Sequence, residues 1–305
     1  MTIDISLLPG PVTEFIGGDP TFQSLDDRFE FLEGPAYDHR RGRLYLSDIV
    51  ASTTWAWSPE DGAEQLSTTP AYANGHLVTT DGRVLQAEHR TRRVVEIDPA
   101  TGEATRVLAD SFGGKHLNSP NQLLELPDGT VLFTDPGYGL LDPYGGPAVQ
   151  EQPIFGVYAV TDDPAAPQLV VADVPVAHKI VLRPDGRQLL VNDSSTGLVQ
   201  AYPVDGGLVD GSTGARLAAL GAHAGLDGMV FTGTGLLVVT SVDGLLVVDP
   251  DGTHGGDSPG ALLATLPVPD EAHNLAWGGE RNDELFVTAT RHLFRLRCSV
   301  PGPQQ

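Results

Sequence analysis

Six polar side chains in this sequence share one setting. Glu33, Asn74, Asn121, His178, Asp227 and His273 each stand immediately before a short apolar run. Brought to one place, two carboxylates, two carboxamides and two imidazoles would offer hard and borderline donors to a divalent cation. The same groups could move protons, because carboxylate and imidazole both titrate near working pH once their surroundings shift them. Two carboxylates facing each other across a narrow space would repel unless one is protonated or a cation lies between them. Taken singly, each residue could equally be a polar strand start in contact with water. What decides is whether the fold makes the six converge.

The elements that would position them repeat. "EGPAYDHRRGRLYLSD", "NGHLVTTDGRVLQAE", "NQLLELPDGTVLFTD", "HKIVLRPDGRQLLVND", "DGMVFTGTGLLVVTS" and "HNLAWGGERNDELFVTA" each read as a polar residue, an apolar strand, a turn and a second strand. Asp-Gly supplies the turn in three of them, as expected of tight hairpins. The copies end at Asp48, Glu88, Asp135, Asp193, Ser241 and Ala289, a spacing of 40 to 58 residues. Further strand candidates follow each copy, among them "RRVVEIDPATGE", "PIFGVYAVTDD", "GLVQAYPVDGG" and "GLLVVDPDG". Four strands per unit at this period is the pattern of a propeller blade. The expected architecture is therefore an all-β, six-bladed β-propeller, one domain over residues 1–305. Residues 1–30 form an N-terminal segment available to close the last blade. In such a fold the six phrase heads would ring one mouth of the central tunnel.

Composition agrees and excludes other classes. With 36 glycines and 24 prolines in 305 residues, short strands and tight turns are favoured over long helices. The 40 acidic against 18 basic residues give a formal charge of -22, which repels nucleic-acid phosphates and anionic lipid. The expected partner is a small-molecule substrate, with no nucleic acid and no membrane, on a monomer or weak homo-oligomer. Cys298 is the single cysteine, so no intrachain disulfide forms and no cysteine-based metal site exists. The opening residues lack a basic stretch followed by an apolar core, and no run reaches membrane-span length. The expected location is the cytoplasm.

At the phrase heads the sequence resembles the gluconolactonase/regucalcin family of senescence-marker-protein, gluconolactonase and luciferin-regenerating-enzyme-like proteins. "FLEGPAYDHRRGRLYLSDI" is similar to that family's first-blade signature, and "LNSPNQLLELPDGTVLFTDPGYGL" to its bacterial gluconolactonase stretch. "GLDGMVF" and "HNLAWGGERNDELFVTA" resemble two later blades, and the likeness spans roughly residues 30 to 295. It implies one catalytic divalent cation, calcium or zinc, at the tunnel mouth, with Glu33, Asn121 and Asp227 among the ligands. The fourth family position usually reads Asn-Gly, whereas here it reads His178-Lys179.

That departure leaves three readings. His178 completes the ligand set with Glu33, Asn121 and Asp227 and favours zinc, it acts as a base, or the metal is lost and the scaffold reused. In the lactonase reading the resemblance implies, the cation polarises a lactone carbonyl and nearby water attacks it. Asp227 is then the first candidate base, His178 and Glu33 complete the catalytic set, and His178 or His273 shuttles the proton. Asn74, His116, Asn118, Lys179 and His273 are candidate substrate contacts, beside Lys115. Lys179 either meets a substrate carboxylate or points outward. The long Gly/Pro segment from Gly137 to Pro153, with two tyrosines, reads as a loop over the site. Tyr72 and Trp277 read as packing residues. Ser119, Ser194 and Ser195 lack a nucleophile-elbow pattern. The alternatives are a metal-independent hydrolase acting on an epoxide or phosphoester-like bond, and a propeller that binds a small molecule without catalysis.

Overall fold

A computed structural model describes residues 1–303 except Asp19 and Ala224. Among the described residues the strands form six blades, each a meander of antiparallel strands. The innermost strands are Leu32–Asp38, Ala73–Val78, Leu123–Glu125, Ala177–Leu182, Met229–Phe231 and Ala272–Gly278. Each touches the innermost strands of its two neighbours, and the sixth closes against the first. The outermost strand of the sixth blade is Gln23–Asp26, which pairs with Leu293–Arg297. One strand from the beginning of the chain thus completes a blade made at its end and latches the first blade to the last.

Strand periodicity explains the near-continuous apolar runs of the second strands. Successive side chains point to opposite faces, and here both faces are covered by a neighbouring blade. Val131 and Phe133 pack toward the second blade, while Leu132 between them packs toward the fourth. Leu44 and Leu46 face the sixth blade, and Tyr45 faces the second. The core is therefore six apolar wedges between blades. Truncating a wedge residue such as Leu132 to alanine would cost roughly 2–5 kcal/mol. The helix Gly10–Ile16 adds Val12, Phe15 and Ile16 to the wedge between blades five and six. Phe15 there meets Trp277 edge to face, and Trp277 donates its indole N–H to the Phe231 carbonyl. No described helix is long and apolar enough to cross a membrane.

The innermost strands carry a shared irregularity. Pairing slips at Glu33–Ala36, Ala73–His76, Ala177–Ile180 and Ala272–Asn274, at or beside the phrase heads. A bulge of this kind breaks strict alternation and re-aims side chains. Two consecutive residues can then face the tunnel, the phrase head and the one after it. Hydroxyls and an amide from the preceding blade pin these segments. Ser47 donates to the Asn74 carbonyl, Thr134 to that of His178 and Thr240 to that of His273, each at 2.7 Å. Asn192 donates to the Asp227 carbonyl at 2.6 Å.

Candidate active site

The residues that follow the phrase heads are Gly34, Gly75, Gln122, Lys179, Gly228 and Asn274. The glycines are forced by close approach. A Cβ on Gly34 would fall 1.8 Å from the Asn74 carbonyl oxygen, and one on Gly75 would fall 2.1 Å from that of Asn121. Where the residue is not glycine, its side chain joins the tunnel. Asn274 donates to Glu33 Oε2 at 2.9 Å and lies 3.3 Å from Gln122 Oε1.

Lys179 does not point outward. Its side chain is 1 % exposed, and Nζ lies 3.1 Å from Glu33 Oε1 and 3.2 Å from Asp227 Oδ1. The contact with Glu33 is a hydrogen bond, whereas Asp227 Oδ1 meets the ammonium as a charge contact outside hydrogen-bond geometry. His178 Nε2 approaches the same Asp227 oxygen at 3.5 Å, and the Asp227 side chain keeps 14 % of its surface. Asn192 fixes both partners at once. Its Oδ1 accepts the Lys179 backbone N–H at 2.8 Å while its Nδ2 holds the Asp227 carbonyl.

This geometry sets the charges. Burial alone would raise Glu33, but the Lys179 ammonium, helped by the Asn274 amide, pulls it down to about 2. Burial pushes Asp227 well above the usual carboxylate range. The ammonium offsets this in part, and the Glu33 charge adds to it. Burial also works against a charged Lys179, yet Asp227 and Glu33 together hold its ammonium above the ordinary lysine range. Burial, reinforced by that ammonium, lowers His178 to about 3, and burial also lowers His273. The imidazoles are therefore neutral, and the site holds one cation between two carboxylates, one firmly ionised and one reluctant.

Among the described residues the opposite side of the mouth has no ion pair. His89, absent from the sequence expectations, gives Nδ1–H to the Tyr144 carbonyl at 2.8 Å and turns Nε2 toward Asn74 Nδ2 at 3.1 Å and Asn121 Nδ2 at 3.5 Å. Burial lowers His89 to about 4, so Nε2 is an acceptor. Both asparagines then present Oδ1 atoms that are buried and lack a donor. The segment from 137 to 153 lies over this floor. Tyr138 packs on His178 with ring centres 4.6 Å apart, and its hydroxyl bonds Ser194. Tyr144 meets Phe31, which stacks on His273 at 4.3 Å.

Other expected contacts fall elsewhere. Asn118 is fully buried and clamps the backbone of Gln152 from both ends of its amide, so it positions the overlying loop and does not face the tunnel. Ser119 supports the same loop through the Gly139 N–H. Lys115 and His116 form an exposed two-residue strand apart from the ring.

Of the expected ligand quartet, Glu33 and Asp227 meet around one point with His178 beside Asp227, but the Lys179 ammonium takes that point. At about 4 Å and an effective dielectric of ~20, like charges repel by about 4 kcal/mol per pair of unit charges, and a dication roughly doubles that. Among the described residues, no three His, Cys, Asp or Glu side chains are grouped as ligands. With the ammonium in place the donors do not fit a divalent ion between the two carboxylates.

Residues 31–291 match the family described as the SMP-30/Gluconolactonase/LRE-like region. A gluconolactonase of Zymomonas mobilis is 28 % identical over 297 residues, covering 90 % of this chain and 80 % of its own. Among solved structures, a gluconolactonase from Xanthomonas campestris is 27 % identical with a TM-score of 0.83, covering 98 % of this chain and 97 % of its own. The calcium-binding protein regucalcin from Agrobacterium tumefaciens shares the fold, with a TM-score of 0.74 at 19 % identity over 93 % of this chain and 98 % of its own.

Proposed function

The chain belongs to the SMP-30/Gluconolactonase/LRE-like family, and from that premise we propose that it hydrolyses a lactone or similar small cyclic ester at the mouth around Asp227. The observation that carries the reading is a buried aspartate with a raised pKa, 3.2 Å from an ammonium and 3.5 Å from a neutral imidazole, with part of its surface still open. A carboxylate so raised is a better base near neutrality than an ordinary one.

In the proposed sequence, the Asp227 carboxylate takes a proton from water as its oxygen bonds the lactone carbonyl carbon. Negative charge develops on the carbonyl oxygen, and Lys179 is the cation that offsets it. The ring C–O bond then breaks, and the leaving alkoxide takes the proton back from Asp227. The product is the open hydroxy acid. Glu33 stays ionised, anchors Lys179 and carries no proton. His178 orients the Asp227 carboxyl group, and its neutral ring can relay the proton. The donor-free Oδ1 atoms of Asn74 and Asn121 suit hydroxyl groups of the substrate, and His273 with Phe31 forms a wall.

The test is acid release in a pH-stat from a panel of γ- and δ-lactones, including polyhydroxylated ones. Acceleration of at least one, lost in Asp227→Asn, supports the reading. No acceleration over the spontaneous rate for any lactone, or full activity in Asp227→Asn, removes it.

A further inference from the structure

Lys115 and Lys179 are the two lysines of the chain, against sixteen arginines among its 18 basic residues. The other cations are thus almost all guanidinium groups, and one of two ammonium groups is buried in the tunnel. A compact ammonium on a flexible stem can sit between two carboxylates at a bulge, where a planar fork would need more room. Lys179 also occupies a second position of the repeated phrase, where three other blades carry glycine and the remaining two carry neutral amides. It is the one charged residue in that ring of six. Its backbone N–H is held by Asn192, its stem is buried, and its head lies within 3.2 Å of a carboxylate from blade one and a carboxylate from blade five.

Two carboxylates brought from opposite ends of the chain into one buried space require a counter-charge. We infer that the Lys179 ammonium is the resident cation of this tunnel, a charge supplied by the chain itself, so that the mouth neither binds nor needs a divalent metal. It follows that the Glu33–Asp227 pair is a latent cation site, closed by one side chain. Removing that side chain without adding bulk, as in Lys179→Gly, frees both carboxylates, hard oxygen donors suited to calcium, on the ring of phrase heads that also carries the donor-free Oδ1 of Asn121. Glycine already stands at this position in three blades, so the backbone frame accommodates it. The inference concerns the charge of the tunnel and holds whether or not the substrate is a lactone.

The experiment reads metal directly. Wild-type protein, stripped with chelator and titrated with calcium or zinc, is followed by calorimetry, elemental analysis after dialysis, and thermal unfolding. The expected result is no stoichiometric uptake and an unchanged Tm with ion or chelator. Lys179→Gly, and Lys179→Ala should glycine not yield folded protein, is expected to take up one ion per chain. Its Tm should rise by roughly 5 °C when the ion is a hundredfold above its Kd, and Glu33→Gln in that background should abolish the rise. One calcium or zinc per wild-type chain, lost on Glu33→Gln, overturns the inference. So does a folded Lys179→Gly protein that takes up neither ion at millimolar concentration. Neither readout depends on turnover, so failure here is distinct from failure of the lactonase proposal.

Discussion

On one side of the tunnel mouth Glu33, Lys179 and Asp227 bring three ionisable groups into mutual contact. On the other side Asn74, His89 and Asn121 form an amide–imidazole cluster with no charge. Both sides stand on the same frame, phrase heads entering innermost strands and pinned by the blade before. What differs is the charge of the heads, carboxylates against carboxamides, and at one blade the residue after the head. Gly75 follows Asn74 because no Cβ fits against the Asn121 carbonyl, whereas Lys179 follows His178 and sends a cation inward. One side chain of five heavy atoms thus places a cation between two carboxylates on one side, while on the other burial keeps His89 neutral and only hydrogen bonds remain.

The largest test of this contrast removes the charge and keeps the volume. Lys179→Met leaves Glu33 and Asp227 buried without a counter-charge, and breaking such a pair costs about 3–5 kcal/mol. Denaturant unfolding should show that loss, and the double variant Lys179→Met/Glu33→Gln should recover much of it. A Lys179→Met protein as stable as wild type would dissolve the distinction between the two sides.

Asp227→Asn comes next. Loss of a general base lowers kcat/KM by about 10²–10⁴-fold, measured by acid release. The sign of the pH dependence follows from the neighbours. Glu33 disfavours the Asp227 anion, so Glu33→Gln should move the acid limb of the rate profile to lower pH. A limb that stays in place, or moves up, would detach Asp227 from Glu33.

Asn192 ties the charged side together, and its loss should be smaller. Asn192→Ala leaves the Lys179 N–H and the Asp227 carbonyl unpaired, at about 1–3 kcal/mol for each buried group. As a positioning residue it should lower kcat by roughly tenfold through misplacement while KM hardly changes. An Asn192→Ala effect confined to stability would make it a structural bond only.

The frame of the site was legible because its signal is periodic. Six phrases with polar heads placed Glu33, Asn74, Asn121, His178, Asp227 and His273 on one ring, and the structure has six blades with those residues at the innermost strands. Gln122 and Asn274 were not legible as tunnel residues, and Lys179 was legible only as one of two readings, because strict alternation turns the residue after a tunnel-facing one away. The bulges that overrule alternation are held by side-chain hydrogen bonds that no alternation pattern encodes, Asn192 to the Lys179 N–H within the same blade and Thr134 to the His178 carbonyl from the blade before. A signal was nonetheless present: the second positions read Gly, Gly, Gln, Lys, Gly, Asn, and recurrent glycine marks crowding into which an exception must point. His89 carried no such signal. It follows the end of a second strand and is turned over the floor by the Tyr144 carbonyl, 55 residues away.

The most gradual effect comes from a carboxylate with the same burial as Glu33 but no ammonium. Asp135 ends the third phrase, is fully buried, and accepts the Asn118 backbone N–H at 2.7 Å while its Oδ1 has no partner. Burial therefore dominates and pushes it up to about 7, with the Asn118 N–H and distant Arg92 only partly opposing, whereas Lys179 brings Glu33 to about 2. The two should report opposite linkages. In Asp135 the folded pKa exceeds the unfolded one, so its stabilising contribution is complete below about pH 4 and is lost as pH rises through about 7. One proton sets a slope of at most ~1.4 kcal/mol per pH unit. In Glu33 the folded pKa is depressed, so its contribution is present above the ordinary glutamate range and is lost as pH falls toward about 2. Asp135→Asn should flatten the decline between pH 4 and 7 and leave the acid-side loss unchanged. Urea unfolding across that range measures both, and an unchanged slope in Asp135→Asn would mean that burial without a cation does not by itself separate the two carboxylates.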